Sequence, residues 1–120
     1  MPKIMVIDDS NSMRALIKQT LIAAGHEIIE AVDGEDALVR VNGASVDLFL
    51  CDVNMPRLDG LGLVKRLRAL PPFKFSPILM LTTEVDPEKK RIAKEAGATG
   101  WLVKPFQPDQ LLATIRKVLT

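Results

Sequence analysis

The sequence predicts one doubly wound α/β domain, a five-stranded parallel sheet with five helices laid against its two faces. Three observations lead there. Short apolar runs of strand length alternate with stretches of helical spacing along the whole chain, the pattern of βα units built around a parallel sheet. Most of these runs are continuously apolar, as strands covered on both faces are. They end abruptly in polar residues, and no internal repeat or low-complexity linker breaks the series.

Taken in order, Lys3-Ile4-Met5-Val6-Ile7 is the first strand and runs straight into Asp8-Asp9-Ser10. Met13, Leu16, Ile17, Leu21 and Ala24 then follow helical spacing, with Asp9 or Ser10 as the cap and Gly25 as the stop. His26 follows at a connection and reads as a solvated side chain without a role. Glu27 to Ala31 is flanked by charge, which suits an edge strand. After the Asp33-Gly34 turn, Ala37, Leu38 and Val41 form the stripe of a second helix ending near Asn42-Gly43.

Val46 to Cys51 is the third strand, and it delivers Asp52 to the turn Val53-Asn54-Met55-Pro56. Leu58-Asp59-Gly60 leads into a third helix with Leu61, Val64, Leu67 and Leu70 inward and Lys65, Arg66 and Arg68 outward, stopped by Pro71-Pro72. The rings of Phe73 and Phe75 are expected to cover the bottom of the core. Ile78 to Leu81 is the fourth strand and ends in Thr82-Thr83-Glu84. Asp86-Pro87 caps a fourth helix in which Ile92, Ala93 and Ala96 lead to a stop at Gly97 and whose exposed face is basic, with Lys89, Lys90, Arg91 and Lys94. Gly100 to Val103 is the fifth strand; Lys104-Pro105-Phe106 follows, and Pro108-Asp109 opens a last helix with Leu111, Leu112, Ile115 and Val118 inward.

Composition narrows the function classes. Sixteen basic and fifteen acidic residues leave a formal charge of +1, so no overall field draws the chain onto nucleic acid or membrane. The single cysteine, Cys51, excludes an intramolecular disulfide and, inside an apolar run, reads as an inert thiol in a reducing compartment. No stretch approaches the roughly 18 apolar residues of a membrane span, and no secretory pattern opens the chain. The expectation is a cytoplasmic protein whose residues 1–120 form one domain without membrane insertion.

Ligands of open parallel sheets bind outside the carboxyl ends of the strands. With all strands parallel, that edge receives Asp8 and Asp9, Asp52, Thr82 and Lys104 from four different strands. Singly, each has an ordinary reading: helix cap, turn aspartate, turn hydroxyl, exposed amine. Together they form a coherent set. Clustered carboxylates raise one another's pKa values unless a cation joins them, and a hard divalent ion, Mg²⁺, suits an incomplete all-oxygen cage. An aspartate can act as a nucleophile and form an acyl phosphate, here Asp52, while Thr82 and Lys104 hold the incoming phosphoryl oxygens. For Trp101, core packing is the reading from the residues alone.

Val6-Ile7-Asp8-Asp9-Ser10, Asp52-Val53-Asn54-Met55-Pro56 with Asp59-Gly60, Leu81-Thr82 and Lys104-Pro105-Phe106 resemble the receiver domains of two-component response regulators, along the whole chain. Within that family the chain is similar to the single-domain chemotaxis regulators. The resemblance, not the residues, supplies the strand order 2-1-3-4-5. It also implies that Asp52 accepts phosphate from a histidine kinase and that Asp9, Asp52 and the Asn54 main-chain carbonyl ligate Mg²⁺, with Asp8 acting through water. A cis Lys104-Pro105 bond and a switch role for Trp101 follow from it, as does tuning of phosphate lifetime by Asn54 and Glu84. Its output surface comprises the fourth helix, fifth strand and fifth helix, where Lys89, Lys90, Arg91 and Lys94 would meet a downstream protein. Such a protein catalyses only its own phosphorylation and dephosphorylation, as a monomer or a phosphorylation-dependent dimer.

Three other readings stay open at this point. The chain is a receiver portion of a longer DNA-binding regulator, an aspartyl-nucleophile phosphohydrolase of the haloacid dehalogenase type, or a flavodoxin-like cofactor module. The second lacks the expected second Asp at Asn54 and a cap domain. The third lacks both glycine-rich phosphate-binding motifs.

Overall fold

A computed structural model describes residues 2–55, 58–83 and 86–119. Five strands, β1 (Lys3–Ile7), β2 (Glu27–Ala31), β3 (Leu48–Asp52), β4 (Ile78–Thr82) and β5 (Gly100–Val103), form one sheet in the order β2-β1-β3-β4-β5. All neighbouring pairs are parallel. Five helices alternate with them: α1 (Asn11–Ala23), α2 (Gly34–Arg40), α3 (Gly60–Arg68), α4 (Pro87–Ala96) and α5 (Pro108–Leu119). The doubly wound sheet and its strand order are those expected.

The alternation of side chains along each strand sorts the core into two layers. Ile4, Val6, Leu48, Leu50, Leu79 and Leu81 face α1 and α5, meeting Ile17, Leu21, Leu111 and Ile115. Met5, Ile7, Phe49, Cys51, Ile78 and Met80 face the opposite way, toward Ala37 of α2, Leu63, Val64 and Leu67 of α3 and Ala93 of α4. Because β1, β3 and β4 are covered on both faces, their sequences are apolar without alternation. The edge positions fall to β2 and β5.

Side-chain caps begin α1 to α4. Ser10 Oγ accepts from the Met13 amide at 3.3 Å, and Asp33, Asp59 and Asp86 accept from the amides of Asp36, Gly62 and Glu88 at 2.8, 2.8 and 3.0 Å. Each satisfies one amide that the helix leaves without an internal partner. At the other end of α4, Gly97 takes φ +116°, a left-handed conformation that a side chain would strain.

Several expectations need correction. The third strand starts at Leu48 and takes in Asp52, instead of spanning Val46 to Cys51. A short 3-10 turn over Pro71–Phe73 directs Phe73 inward, where its ring meets Phe49 edge-on at 5.3 Å. Phe75 is left 87% exposed, so only one of the two rings covers the core. Leu16 and Ile92 are exposed; the buried stripe of α1 is Ile17 and Leu21, and that of α4 is Ala93 alone. His26 is partly buried, with Nδ1 shielded from solvent and without a hydrogen-bond partner among the described residues. Arg68, expected outward, is half-buried and bonded to four main-chain carbonyls.

Candidate functional site

Strand register sets the site. Ile7 pairs with Cys51, Asp52 with Leu81, and Thr82 with Val103, so Asp8, Asp52, Thr82 and Lys104 reach the carboxyl edge of the sheet in staggered succession. Asp8 is fully buried and held at every polar atom. Its amide donates to Ala31 O at 3.2 Å, and its carbonyl accepts from Arg14 Nη1 at 2.6 Å. Its Oδ1 accepts from the Ser10 amide at 2.9 Å, and its Oδ2 from Lys104 Nζ at 3.0 Å.

The same ammonium lies 3.4 Å from Asp52 Oδ1. Lys104 reaches there because its own amide continues the β4–β5 ladder, donating to Thr82 O at 2.7 Å just before the cis Lys104-Pro105 bond. Asp52 is only 7% exposed. Its surroundings push its carboxyl above the ordinary range: burial does most, the charges of Asp8 and Asp9 add to it, and Lys104 opposes them. Thr82 is buried at the end of β4. Burial also pushes the Cys51 thiol far up, which fits an inert side chain.

Asp9 is exposed, and one carboxylate oxygen from each of Asp8, Asp9 and Asp52 lies within 4.8 Å of the others. Three carboxylates against one lysine leave excess negative charge in a small volume, and every donor is a hard oxygen. That set fits Mg²⁺, which takes one or two carboxylates, a carbonyl and retained waters. Asn54 stands exposed two residues beyond Asp52.

The N-terminus of α3 backs directly onto this loop. The Gly60 amide donates to Val53 O at 2.9 Å, and a Cβ on Gly60 would sit 2.4 Å from Asp52 O and 2.8 Å from Val53 Cα. Glycine is required here by close approach of backbone to backbone. The Asp59-Gly60 pair thus caps α3 and lets it brace the loop that carries Asp52.

Trp101 is half-buried against the α4 side of the core, and its indole N–H has no hydrogen-bond partner among the described residues. With Lys90, Lys94, Ala93, Ala98 and Thr99 it lines a cavity of about 160 Å³ between α4 and β5. The basic face of α4 is less basic than expected, because Arg91 pairs with both Glu88 and Glu95. Glu84 and Pro56 lie outside the described residues. Sequence reading missed Arg14 and Arg68. Both are spaced like solvated helix residues, and nothing local marks a guanidinium that will meet distant carbonyls.

Comparisons with known proteins place the chain in one family. Residues 4–116 match the model of the response regulator receiver domain. The chain is 40% identical over 119 residues to chemotaxis protein CheY1 of Helicobacter pylori, covering 98% of this chain and 96% of that one. It is 37% identical to the alkaline phosphatase synthesis transcriptional regulatory protein PhoP of Bacillus subtilis, of which it spans 48%. Among solved structures, chemotaxis protein CheY4 of Vibrio cholerae superimposes with a TM-score of 0.97 at 50% identity, over 99% of both chains. The sheet order 2-1-3-4-5, a family model that matches residues 4–116 and relatives that align along nearly the whole chain lead to one conclusion: the chain belongs to the response regulator receiver domains.

Proposed function

We propose that residues 1–120 form one receiver domain of the chemotaxis type, which takes a phosphoryl group from a histidine kinase onto Asp52 in the cytoplasm and thereby switches a protein-binding surface. The observation that carries this reading is the Lys104 ammonium, 3.0 Å from Asp8 Oδ2 and 3.4 Å from Asp52 Oδ1. A carboxylate with such a partner is fixed in direction while its second oxygen remains available for attack. In the transfer, the P–N bond of the kinase's phosphohistidine breaks as an Asp52 oxygen bonds phosphorus, and the electron pair returns to the imidazole.

The chain's contribution is positioning and charge. Asp8, Asp9, Asp52 and the Asn54 carbonyl would hold Mg²⁺, which when bound neutralises charge on the transferring oxygens. Phosphorylation adds up to about one negative charge and new acceptor oxygens at the edge. Lys104 then exchanges carboxylate for phosphoryl oxygen, and the Thr82 hydroxyl donates to another. Shifting a two-state switch from 1:99 to 99:1 takes roughly 5.5 kcal/mol, within reach of a few charge-assisted hydrogen bonds.

Trp101 on β5 and Lys89, Lys90 and Lys94 on α4 make α4, β5 and α5 the face that a downstream protein reads. Asn54 and Glu84 govern access of water to the phosphate. The site makes the chain a signalling component whose chemistry is confined to its own phosphorylation and dephosphorylation.

Titration of Trp101 fluorescence with Mg²⁺ and then with beryllofluoride, an acyl-phosphate mimic, tests this reading. Saturable changes with both ligands are expected, the second lost in Asp52→Asn. Calorimetry showing that the wild-type protein binds neither Mg²⁺ nor beryllofluoride would sink it.

A further inference from the structure

Asp9 differs from its neighbours in the acidic cluster. Asp8 is held by Ser10 and Lys104, and Asp52 by Lys104, whereas the Asp9 side chain has no hydrogen bond or ion pair among the described residues. Only the backbone brings its carboxylate within 4.8 Å of the other two. On its N-terminal side that backbone is gripped by Arg14 in the first turn of α1, whose Nη1 donates to the Asp8 carbonyl at 2.6 Å.

The Asp8 carbonyl and the Asp9 nitrogen and Cα lie in one planar peptide unit, so holding the oxygen fixes the N–Cα bond from which the Asp9 side chain leaves, while the Ser10 amide, bonded to Asp8 Oδ1 at 2.9 Å, limits rotation about it. The Asp8 amide, tied to Ala31 O at 3.2 Å, fixes the other side of the same residue. Arg14 is itself immobilised. Its Nη2 donates to Asn11 Oδ1 at 2.7 Å, its Nε lies 3.4 Å from Glu30 Oε1, and its side chain is 12% exposed. Lys18 Nζ holds the other oxygen of Glu30 at 3.0 Å. A planar guanidinium serves three acceptors at once in a way no ammonium does.

We infer that Arg14 is a positioning residue for the divalent cation, acting through the Asp8-Asp9 peptide to aim the otherwise unsupported Asp9 carboxylate. The inference rests on the Mg²⁺ site proposed above. It also predicts a sign. A positive charge near a cation site repels the cation, so if Arg14 acted by charge alone its removal would tighten Mg²⁺ binding. As a positioning residue, its removal weakens binding.

Calorimetric titration of the full chain with Mg²⁺, at fixed ionic strength, decides between these. Arg14→Ala is expected to raise the Kd roughly tenfold, the lower end of what losing an outer partner costs a metal site. Arg14→Lys keeps the charge, loses the fork, and is expected to bind nearly as weakly. Arg14→Ala combined with Asp9→Asn is expected to bind no more weakly than Asp9→Asn alone, because the two act on one ligand. Melting each variant in chelator separates loss of fold from loss of affinity, and Arg14→Lys carries the test if Arg14→Ala does not fold. Unchanged or tighter binding by the folded Arg14 variants, or additive losses in the double variant, overturns the inference while the cation site stands. Absence of Mg²⁺ binding by the wild type overturns the site reading and this role together.

Discussion

Asp52→Asn takes up no phosphoryl group from a histidine kinase or from a small acyl phosphate, and it does so while melting at a higher temperature than the wild-type protein in chelator. The first outcome follows from chemistry: an amide has no anionic oxygen to attack phosphorus, and removal of an essential nucleophile lowers turnover by several orders of magnitude. The second follows from the burial of Asp52, to which the charges of Asp8 and Asp9 add and which Lys104 only partly offsets, so that its pKa is raised. A carboxyl with a raised pKa in the folded state contributes stability that is fully present below its unfolded value, roughly 4, and is lost as pH rises through the folded value. At pH 7 in chelator the wild type carries that loss, and the isosteric amide does not. Phosphate incorporation and thermal melting on the same preparation check both, and a variant that still incorporates phosphate would move the acceptor elsewhere.

Arg68→Ala is expected to lower the stability of the folded chain by about 3 kcal/mol, on the scale of several partly buried carbonyls losing a charged donor. For a domain of this size that is roughly 12 °C in melting temperature. One guanidinium joins two places distant in sequence: Nε and Nη2 donate to Gly97 O at 3.0 and 2.7 Å, and Nη1 donates to Phe73 O and Ser76 O at 2.9 and 2.6 Å. It therefore ties the end of α3 to the C-terminus of α4 and to the chain entering β4. Helix α4 has little else to hold it, since Ala93 is its one buried residue. Arg68→Lys, which cannot reach both sets of carbonyls, is expected to recover less than half of the loss. Denaturant unfolding reads both variants, and a change below about 1 kcal/mol for Arg68→Ala would remove the clamp from the account.

The doubly wound sheet was legible because β1, β3 and β4 lie under helices on both faces, which forces continuous apolar runs that nothing else in a soluble chain needs. The polar residues after those runs were legible for the same reason: where burial stops, the edge begins. Capping was ambiguous between Asp9 and Ser10. The structure gives the cap to Ser10, which leaves Asp9 for the acidic cluster. Strand order came from family resemblance, because residues in a buried parallel strand carry no mark of their neighbours. Arg68 was unreadable beside Lys65 and Arg66, since its acceptor at Gly97 lies 29 residues away. Phe73 and Phe75 have the same composition and opposite fates, decided by one 3-10 turn.

The two edges of the sheet have a consequence for how the protein keeps company with itself. An uncovered strand offers unpaired amides and carbonyls to any similar chain, the first step toward fibrils. Strand β2 meets that hazard with Glu27 and Glu30, each paired to a cation from a neighbouring element. Strand β5 meets it by brevity, with four residues that end at Lys104 and a proline. Docking another strand on one side would strip water from a row of charges, and on the other it would find too short a template. Both edges are thereby blunted against pairing with a second copy of the sheet.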